Sequence, residues 1–234
     1  MTCPVVHALI PAAGRGQRFG GEPKQYQPLA GKPVLAHAIE AVGVSSAVRG
    51  VTVAIAADDR EFEKQVRPGC LGVLTVEGGA TRAHSVMNGL RSIARSNPDT
   101  QWVLVHDAAR PCLAREELER LLELGLACAD GAILALPIGD TMKRSGENGR
   151  IEATVERERL WAAQTPQLFP LGRLTDALRE MLERGETPTD EAAVMEWVGA
   201  RPLLVRGSPA NIKITWPGDL AIAEAWLAGR ETGA

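Results

Sequence analysis

Residues Val5 to Gln27 read VVHALIPAAGRGQRFGGEPKQYQ, and the fold is decided there. An apolar run, Val5–Ile10, enters a glycine-rich loop, and an apolar, helix-compatible run, Pro33–Val42, follows. That order predicts a buried strand, then a loop, then a helix. Gly14, Gly16, Gly20 and Gly21 let the loop turn tightly and bring its backbone close to a ligand. A loop of this kind can aim N–H groups inward as an anion nest. Arg15, Arg18 and Lys24 place three cations around it. Strand, glycines and cations together suggest a polyphosphate cradle; the plainer alternative is a surface loop leaving a strand. Two familiar loops do not match. The dinucleotide fingerprint needs a third glycine where Phe19 stands, and an acidic residue about 20 positions further on is not well placed. The P-loop needs Gly-Lys-Ser/Thr, whereas Lys24 lies between Pro23 and Gln25.

The totals agree with an α/β protein of ordinary composition. The 234 residues suffice for one large domain or a domain with an appendage, and 45% hydrophobic with 24% charged residues describes a soluble globule. Lys plus Arg number 26 against 29 Asp plus Glu, a net charge of −3, so the basic excess of a nucleic-acid binder is missing. Apolar stretches such as Val5–Ile10 and Ala132–Ile138 are too short to span a bilayer. No basic segment precedes the first of them, so it reads as a strand and not as a signal peptide. Cys3, Cys70, Cys112 and Cys128 are scattered without a CxxC pair, which points to reduced thiols in a cytoplasmic protein.

Beyond the first loop, short apolar runs alternate with helical patterns. Val51–Ala56, Leu71–Val76, Trp102–Val105 and Ala132–Leu136 are strand candidates. A charged, helix-compatible segment spans Asp58–Val66. Ala83, Val86, Met87, Leu90, Ile93 and Ala94 mark one helix face, and Leu118, Leu121, Leu122 and Leu126 another. Alternation of this kind predicts a mostly parallel central sheet with helices on both faces. Ligands of such sheets sit beyond the carboxyl ends of the strands. Three segments should therefore converge: GRGQRFGGEPK after Ile10, EGGATRAHS after Val76, and HDAARP after Val105.

From Pro137 to about Leu160 charged residues crowd out any core. Thr141–Ser145 and Ile151–Glu156 flank Gly146-Glu147-Asn148-Gly149, a good hairpin turn. A lone hairpin is marginal in water, so either a second subunit holds it or it is a surface flap. The main domain resumes with a helix over Asp190–Val198, with Thr187 or Thr189 as its N-cap, a short strand Leu203–Val205, and a last helix with Pro217 in its first turn. The whole chain, 1–234, reads as one domain with 138–160 as an extended arm.

Asp107 follows a strand at the rim where the ligand should lie. A carboxylate there beside Arg15, Arg18 and Lys24 suggests Mg2+ on a polyphosphate, since Mg2+ typically takes one or two carboxylates and finishes its shell with phosphate and water. A helix cap or an ion pair with Arg110 is the structural alternative. His106 reads as a packed, hydrogen-bonded histidine. No Ser/His/Asp order or HExxH is present, and phosphoryl or nucleotidyl transfer needs neither, because its catalysis is positioning and charge neutralisation.

PAAGRGQRFGGEPKQY, GGATRAHSV, VLVHDAARP, DTMKR, QTPQLF, TDEA and NIKIT occur in that order between about Val6 and Leu227. Together they resemble the 2-C-methyl-D-erythritol 4-phosphate cytidylyltransferases of the non-mevalonate isoprenoid pathway. The resemblance implies a Rossmann-like nucleotidyltransferase fold and a homodimer joined through the arm. It implies CTP and methylerythritol phosphate as substrates, and a divalent metal such as Mg2+ on Asp107. By motif, Pro11, Ala12, Ala13 and Gly14 would line the nucleotide, with Gly79 and Ser85 at cytosine and ribose. Arg18 and Lys24 would stabilise the pentavalent phosphorus, and Lys213 would join them beside the substrate. Asp107, Ala108 and Thr165 would face the methylerythritol phosphate, with Arg110, Thr141 and Arg157 reaching it from the partner subunit. Many members carry an acid where Ala80 stands, and often another where His84 stands, so the base is read here either by backbone groups or with altered selectivity. A sister activity on ribitol 5-phosphate shares these motifs, and a nucleotide-binding regulatory module is the non-enzymatic alternative.

Overall fold

A computed structural model describes residues 4–14, 19, 23–70 and 72–231. The first apolar run forms β1 (Val6–Pro11), buried almost throughout. A small hairpin, β2 (Pro28–Leu29) with β3 (Lys32–Pro33), leads into α1 (Val34–Gly43). Then follow β4 (Val48–Ile55), β5 (Leu74–Glu77), α2 (Arg82–Ser96), β6 (Trp102–Val105), α3 (Arg115–Leu126) and β7 (Ala132–Pro137). The arm strands β8 (Met142–Ser145) and β9 (Ile151–Val155) precede β10 (Trp161–Pro170), α4 (Leu171–Glu183), α5 (Glu191–Trp197), β11 (Leu203–Arg206) and α6 (Asp219–Glu231).

Seven strands make the central sheet in the order β11-β7-β10-β6-β1-β4-β5. Neighbours run parallel except around β10, which is antiparallel to both β6 and β7. Apolar side chains alternate between two cores, as they must when both faces are covered. Ala8, Ile10, Leu104 and Leu134 pack with α1 and α3 on one face. Leu9, Val103, Val105 and Ile133 pack with α2, α4 and α5 on the other. Gly89 brings α2 down onto β1: a Cβ there would lie 2.3 Å from Leu9 Cδ1. That close seat fixes the N-terminus of α2 at the end of β1. A third, smaller cluster joins α6 to the segment after β6 through Ala109, Cys112, Ile214 and Ala223. No helix of the described residues is long and apolar enough to cross a membrane.

The local differences from sequence expectation have physical causes. The charged segment Asp58–Val66 predicts a helix, yet only Phe62–Val66 coils, as a single π-helical turn begun by Asp59, whose Oδ1 accepts from the N–H groups of Glu61 and Phe62. The Thr187 or Thr189 cap expected for α5 is replaced by Asp190, whose Oδ1 accepts from the Ala193 N–H over 2.9 Å. A carboxylate also complements the positive end of the helix, which a threonine hydroxyl does not. The arm is a two-stranded hairpin as expected, with Gly149 at φ +72° closing its turn.

Candidate active site

The described parts of the three predicted segments meet at the carboxyl ends of β1, β5 and β6 and enclose a cavity of about 250 Å³, the first segment contributing Gly14 and Lys24. Pro11–Gly14 form one wall, Gly79–Arg82 and Ser85 the second, and Asp107–Ala109 the third, with Lys24, Gln25 and Lys213 at the edges. Gln25 shapes the first wall, its Nε2 donating to the carbonyls of Ala12 and Gly14 at 2.9 and 3.0 Å. Gly78 lets the second wall close on the first, since a Cβ there would sit 2.4 Å from the Ala13 Cβ. Ser85 Oγ accepts from the Gly79 N–H over 3.0 Å and donates to the Thr81 carbonyl, so it fixes the loop as well as lining the cavity. Lys24 Nζ donates to the Ile214 carbonyl over 2.7 Å, tying the glycine-rich loop to the segment that carries Lys213.

Asp107 is the electrostatic centre. Its carboxylate meets Lys213 Nζ at 2.7 Å, Arg82 at 3.3 Å and Arg110 Nε at 3.7 Å. Burial alone would raise its pKa, but Arg82 and then Lys213 and Arg110 outweigh burial and hold it well below the usual carboxylate range. Arg82 is itself gripped by Glu191, which accepts from Nη1 and Nη2 at 2.7 and 2.9 Å. Burial works against the Arg82 cation, and Glu191 and Asp107 more than restore it. Each carboxylate oxygen in this cluster therefore has a cation beside it, which is the condition for keeping charges in a poorly solvated place.

A second cavity, about 260 Å³, adjoins the first. Arg82, Asp107 and Lys213 belong to the walls of both. The remainder of the second wall is polar: Arg110, Gln164, Thr165, Gln167, Thr189 and Asp190 line it together with Ala163. Asn211, fully buried, locks this side, its Nδ2 donating to the Thr165 carbonyl over 2.8 Å while its own carbonyl accepts from Arg110 Nη1 over 2.6 Å. His106 is buried as expected, and burial pushes its imidazole down to about 4.

Most candidates from the sequence are thus brought together. Pro11, Ala12, Ala13, Gly14, Lys24, Gly79, Ser85, Asp107, Ala108 and Lys213 line the first cavity, and Arg110 and Thr165 the second. Arg18, like Arg15, lies outside the described residues. Thr141 and Arg157 are exposed on the arm, where Arg157 Nη1 donates to the Gly139 carbonyl of its own chain. Arg110 needs a correction. The resemblance implies that it acts from the partner subunit, but its side chain is buried beside Asp107 and bonded to the Asn211 carbonyl of the same chain, so it belongs to its own chain's site. Arg82, Glu191 and Gln25 were not singled out by sequence, although all three stand inside quoted motifs, TRAHS, TDEA and PKQY.

A glycine-rich loop after β1, cations around one carboxylate, and two adjoining cavities at the rim of a mostly parallel sheet define a nucleotidyltransferase. Comparison with known proteins narrows the class. The family model for IspD, 2-C-methyl-D-erythritol 4-phosphate cytidylyltransferase, matches residues 6–229, and the chain belongs to that family. The 2-C-methyl-D-erythritol 4-phosphate cytidylyltransferase of Xanthomonas campestris pv. campestris (strain 8004) is 49% identical over 229 residues, covering 97% of this chain and 86% of that protein. A crystal structure of a 4-diphosphocytidyl-2C-methyl-D-erythritol synthase superposes with a TM-score of 0.85 at 40% identity, covering 97% of this chain and all of that one. The Thermus thermophilus cytidylyltransferase superposes at 0.79 with 32% identity, covering 94% of this chain and 98% of its own.

Proposed function

We propose that this chain joins CTP to 2-C-methyl-D-erythritol 4-phosphate, giving 4-diphosphocytidyl-2-C-methyl-D-erythritol and pyrophosphate. Family membership supports the reaction, and one geometric observation carries it: two cavities share a wall made of Arg82, Asp107 and Lys213. The first, bordered by the glycine-rich loop, suits CTP. The second, rich in amide and hydroxyl groups, suits a short polyol phosphate. The shared wall is where two phosphates would face each other.

In this reading an oxygen of the acceptor phosphate attacks the α-phosphorus of CTP in line. A new P–O bond forms, the bond from that phosphorus to the bridging oxygen breaks, and its electron pair leaves on pyrophosphate. The attacking phosphate is already an anion, so no side chain has to remove a proton. The obstacle is repulsion between anions, and fixed cations lower it. Pro11–Gly14, Gly79 and Ser85 hold the nucleotide; Arg18 and Lys24 take its phosphates. Asp107, Ala108, Arg110, Thr165 and Lys213 surround the acceptor, and Thr141 and Arg157 reach it from a second copy of the chain.

The donor set fits Mg2+ in one manner. Among the described residues no group of three or more His, Cys, Asp or Glu side chains is gathered to hold a metal, so Asp107 would be the single carboxylate and phosphate and water the other ligands. Bound there, the ion would neutralise phosphate charge. We also propose that the enzyme is a cytoplasmic homodimer joined by arm 138–160. Exposed Met142 and Ile151 on the hairpin support a partner, since two strands alone are marginal.

Pyrophosphate release measured across CTP, UTP and ATP, with methylerythritol phosphate and ribitol 5-phosphate as acceptors, tests the reaction. Turnover should be fastest by far with CTP and methylerythritol phosphate. Preference for ribitol 5-phosphate, or no release from CTP with either acceptor, overturns the proposal.

A further inference from the structure

Where β1 ends, the chain leaves the sheet, and one side chain stands in for a neighbouring strand. β1 lies between β4 and β6. The Ala12 N–H donates to the Ala54 carbonyl of β4 over 2.7 Å, so this edge of the chain faces β4. Gln25, buried, continues that edge: its Nε2 lies 2.9 Å from the Ala12 carbonyl oxygen and 3.0 Å from that of Gly14. Carbonyl oxygens only accept, and an amide nitrogen carries two hydrogens, so both bonds run from Gln25. The C=O and N–H of a planar trans peptide point in opposite directions. With the Ala12 carbonyl held by Gln25, the Ala13 N–H faces the other edge, the side of β6, where Asp107–Ala109 close the first cavity. Packing does little to hold this wall. Ala13, Gly14 and Gln25 also border a further cavity of about 390 Å³, with Tyr26, Ala56 and Asp59 among its other sides. Among the described residues, nothing lies within 4 Å of where a Gly14 Cβ would stand.

We propose that Gln25 is a positioning residue for the nucleotide: its two amide hydrogens hold the Ala12 and Gly14 carbonyls back and turn the Ala13 N–H into the first cavity, so that a nucleotide oxygen meets a donor there. The task calls for an amide. A carboxylate of the same shape would set its oxygens against two carbonyl oxygens and hold neither. The side chain is itself held from both sides. Gln25 is the middle residue of a single 3₁₀ turn, Lys24–Tyr26. Lys24 Nζ donates to the Ile214 carbonyl, and the Tyr26 hydroxyl donates to Asp59 Oδ2 over 2.6 Å. One short turn thus ties the wall of the nucleotide cavity to the segment after β4 and to the segment that carries Lys213.

Proton–nitrogen NMR of the full-length protein without ligand tests the hold in the absence of turnover. Both side-chain amide hydrogens of Gln25 should exchange slowly with solvent, and fast exchange of either overturns the proposal. The binding arm rests on the cytidylyltransferase reading. Gln25→Met keeps the length but donates nothing. It should raise the CTP Kd in calorimetric titration, and the CTP KM, by roughly tenfold, within what two neutral hydrogen bonds are worth, with the acceptor KM little changed. Gln25→Glu should weaken CTP further than Gln25→Met does. A Gln25 that only supports the fold would lower Tm and the yield of folded enzyme but leave the CTP KM of that enzyme at the wild-type value. That result, or wild-type CTP affinity in Gln25→Met, overturns the proposal. If the wild-type protein does not bind CTP, the cytidylyltransferase reading fails, while the exchange rates still decide whether Gln25 holds the wall.

Discussion

Glu191→Ala isolates the support beneath the active-site charges. Glu191 is 3% exposed at its side chain and makes two bonds to Arg82, at 2.7 and 2.9 Å. Removing one partner of a buried ion pair costs about 3–5 kcal/mol, because the other charge is left without compensation. Arg82 keeps its contact with Asp107 at 3.3 Å, and its side chain is 32% exposed, so the lower end applies. For a chain of this length each kcal/mol lowers Tm by about 2–4 °C, so a loss of about 3 kcal/mol should bring Glu191→Ala down by roughly 6–12 °C. Differential scanning calorimetry measures it directly.

A second variant separates stability from chemistry. Arg82→Met with Glu191→Leu removes both charges and fills their space, a change that is often neutral for stability. It should recover most of the lost Tm. It should not recover pyrophosphate release, because Asp107 would keep Lys213 and Arg110 but lose the cation that contributes most to holding it ionised. A Glu191→Ala protein that melts within about 1–2 °C of wild type would refute the ion-pair reasoning, and a fully active double variant would refute the role given to Arg82.

Other perturbations read other parts of the site. Lys24→Ala should lower kcat by roughly 10²–10³, by analogy with loss of one preorganised donor; near wild-type steady-state turnover would rule out its proposed task. Gly78→Ala should weaken CTP binding in calorimetric titration, since the new Cβ lies 2.4 Å from the Ala13 Cβ and 3.2 Å from the Ile55 carbonyl, where overpacking costs about 1–3 kcal/mol; unchanged affinity would show that the two walls can part freely. His7, whose Nε2 is 2.9 Å from Thr52 Oγ1, is pushed by burial from 6.5 down to about 4. A depressed folded-state pKa contributes stability above pH 6.5 that is lost as pH falls through about 4, here about 3 kcal/mol at most. Urea unfolding of His7→Asn should therefore show a flatter loss of stability over that window than wild type, and equal slopes would discount His7. Deleting Met142 to Ile151 should give monomers with poor acceptor binding in analytical ultracentrifugation and kinetics; a dimeric, active deletion would contradict the task given to the arm.

The parts of this molecule legible in sequence are those where burial dictates residue type. β1, β6 and β7 are largely apolar runs because helices cover both of their faces, and the ends of β1 and β6, with that of β5, point to the three segments that converge. Asp107 was legible for the same reason: it is the first charge after a fully apolar strand. Arg82 and Glu191 were not, since each is the first residue of a helix, where a charge is commonplace, and 109 residues separate them. Only the tertiary arrangement of α2 and α5 turns two ordinary helix starts into a pair. α4 does carry a readable stripe, Leu171, Leu174, Ala177 and Leu178, but it follows a strand that hides itself. In β10 the middle reads Gln164, Thr165, Pro166, Gln167, with no alternation and a break in register between Ala163 and Gln167. Those residues are occupied otherwise. Gln167 donates to Asp190 and accepts from the Ala192 N–H, seating the start of α5 that presents Glu191. Thr165 holds Asp107, and Gln164 Nε2 donates to the Ser208 carbonyl. A strand in the centre of a sheet can carry so many polar groups because most of them have a fixed partner, the buried Gln164 Oε1 being the exception. What conceals β10 from a hydrophobic pattern is therefore the same set of side chains that builds the second cavity and aims the charges shared with the first.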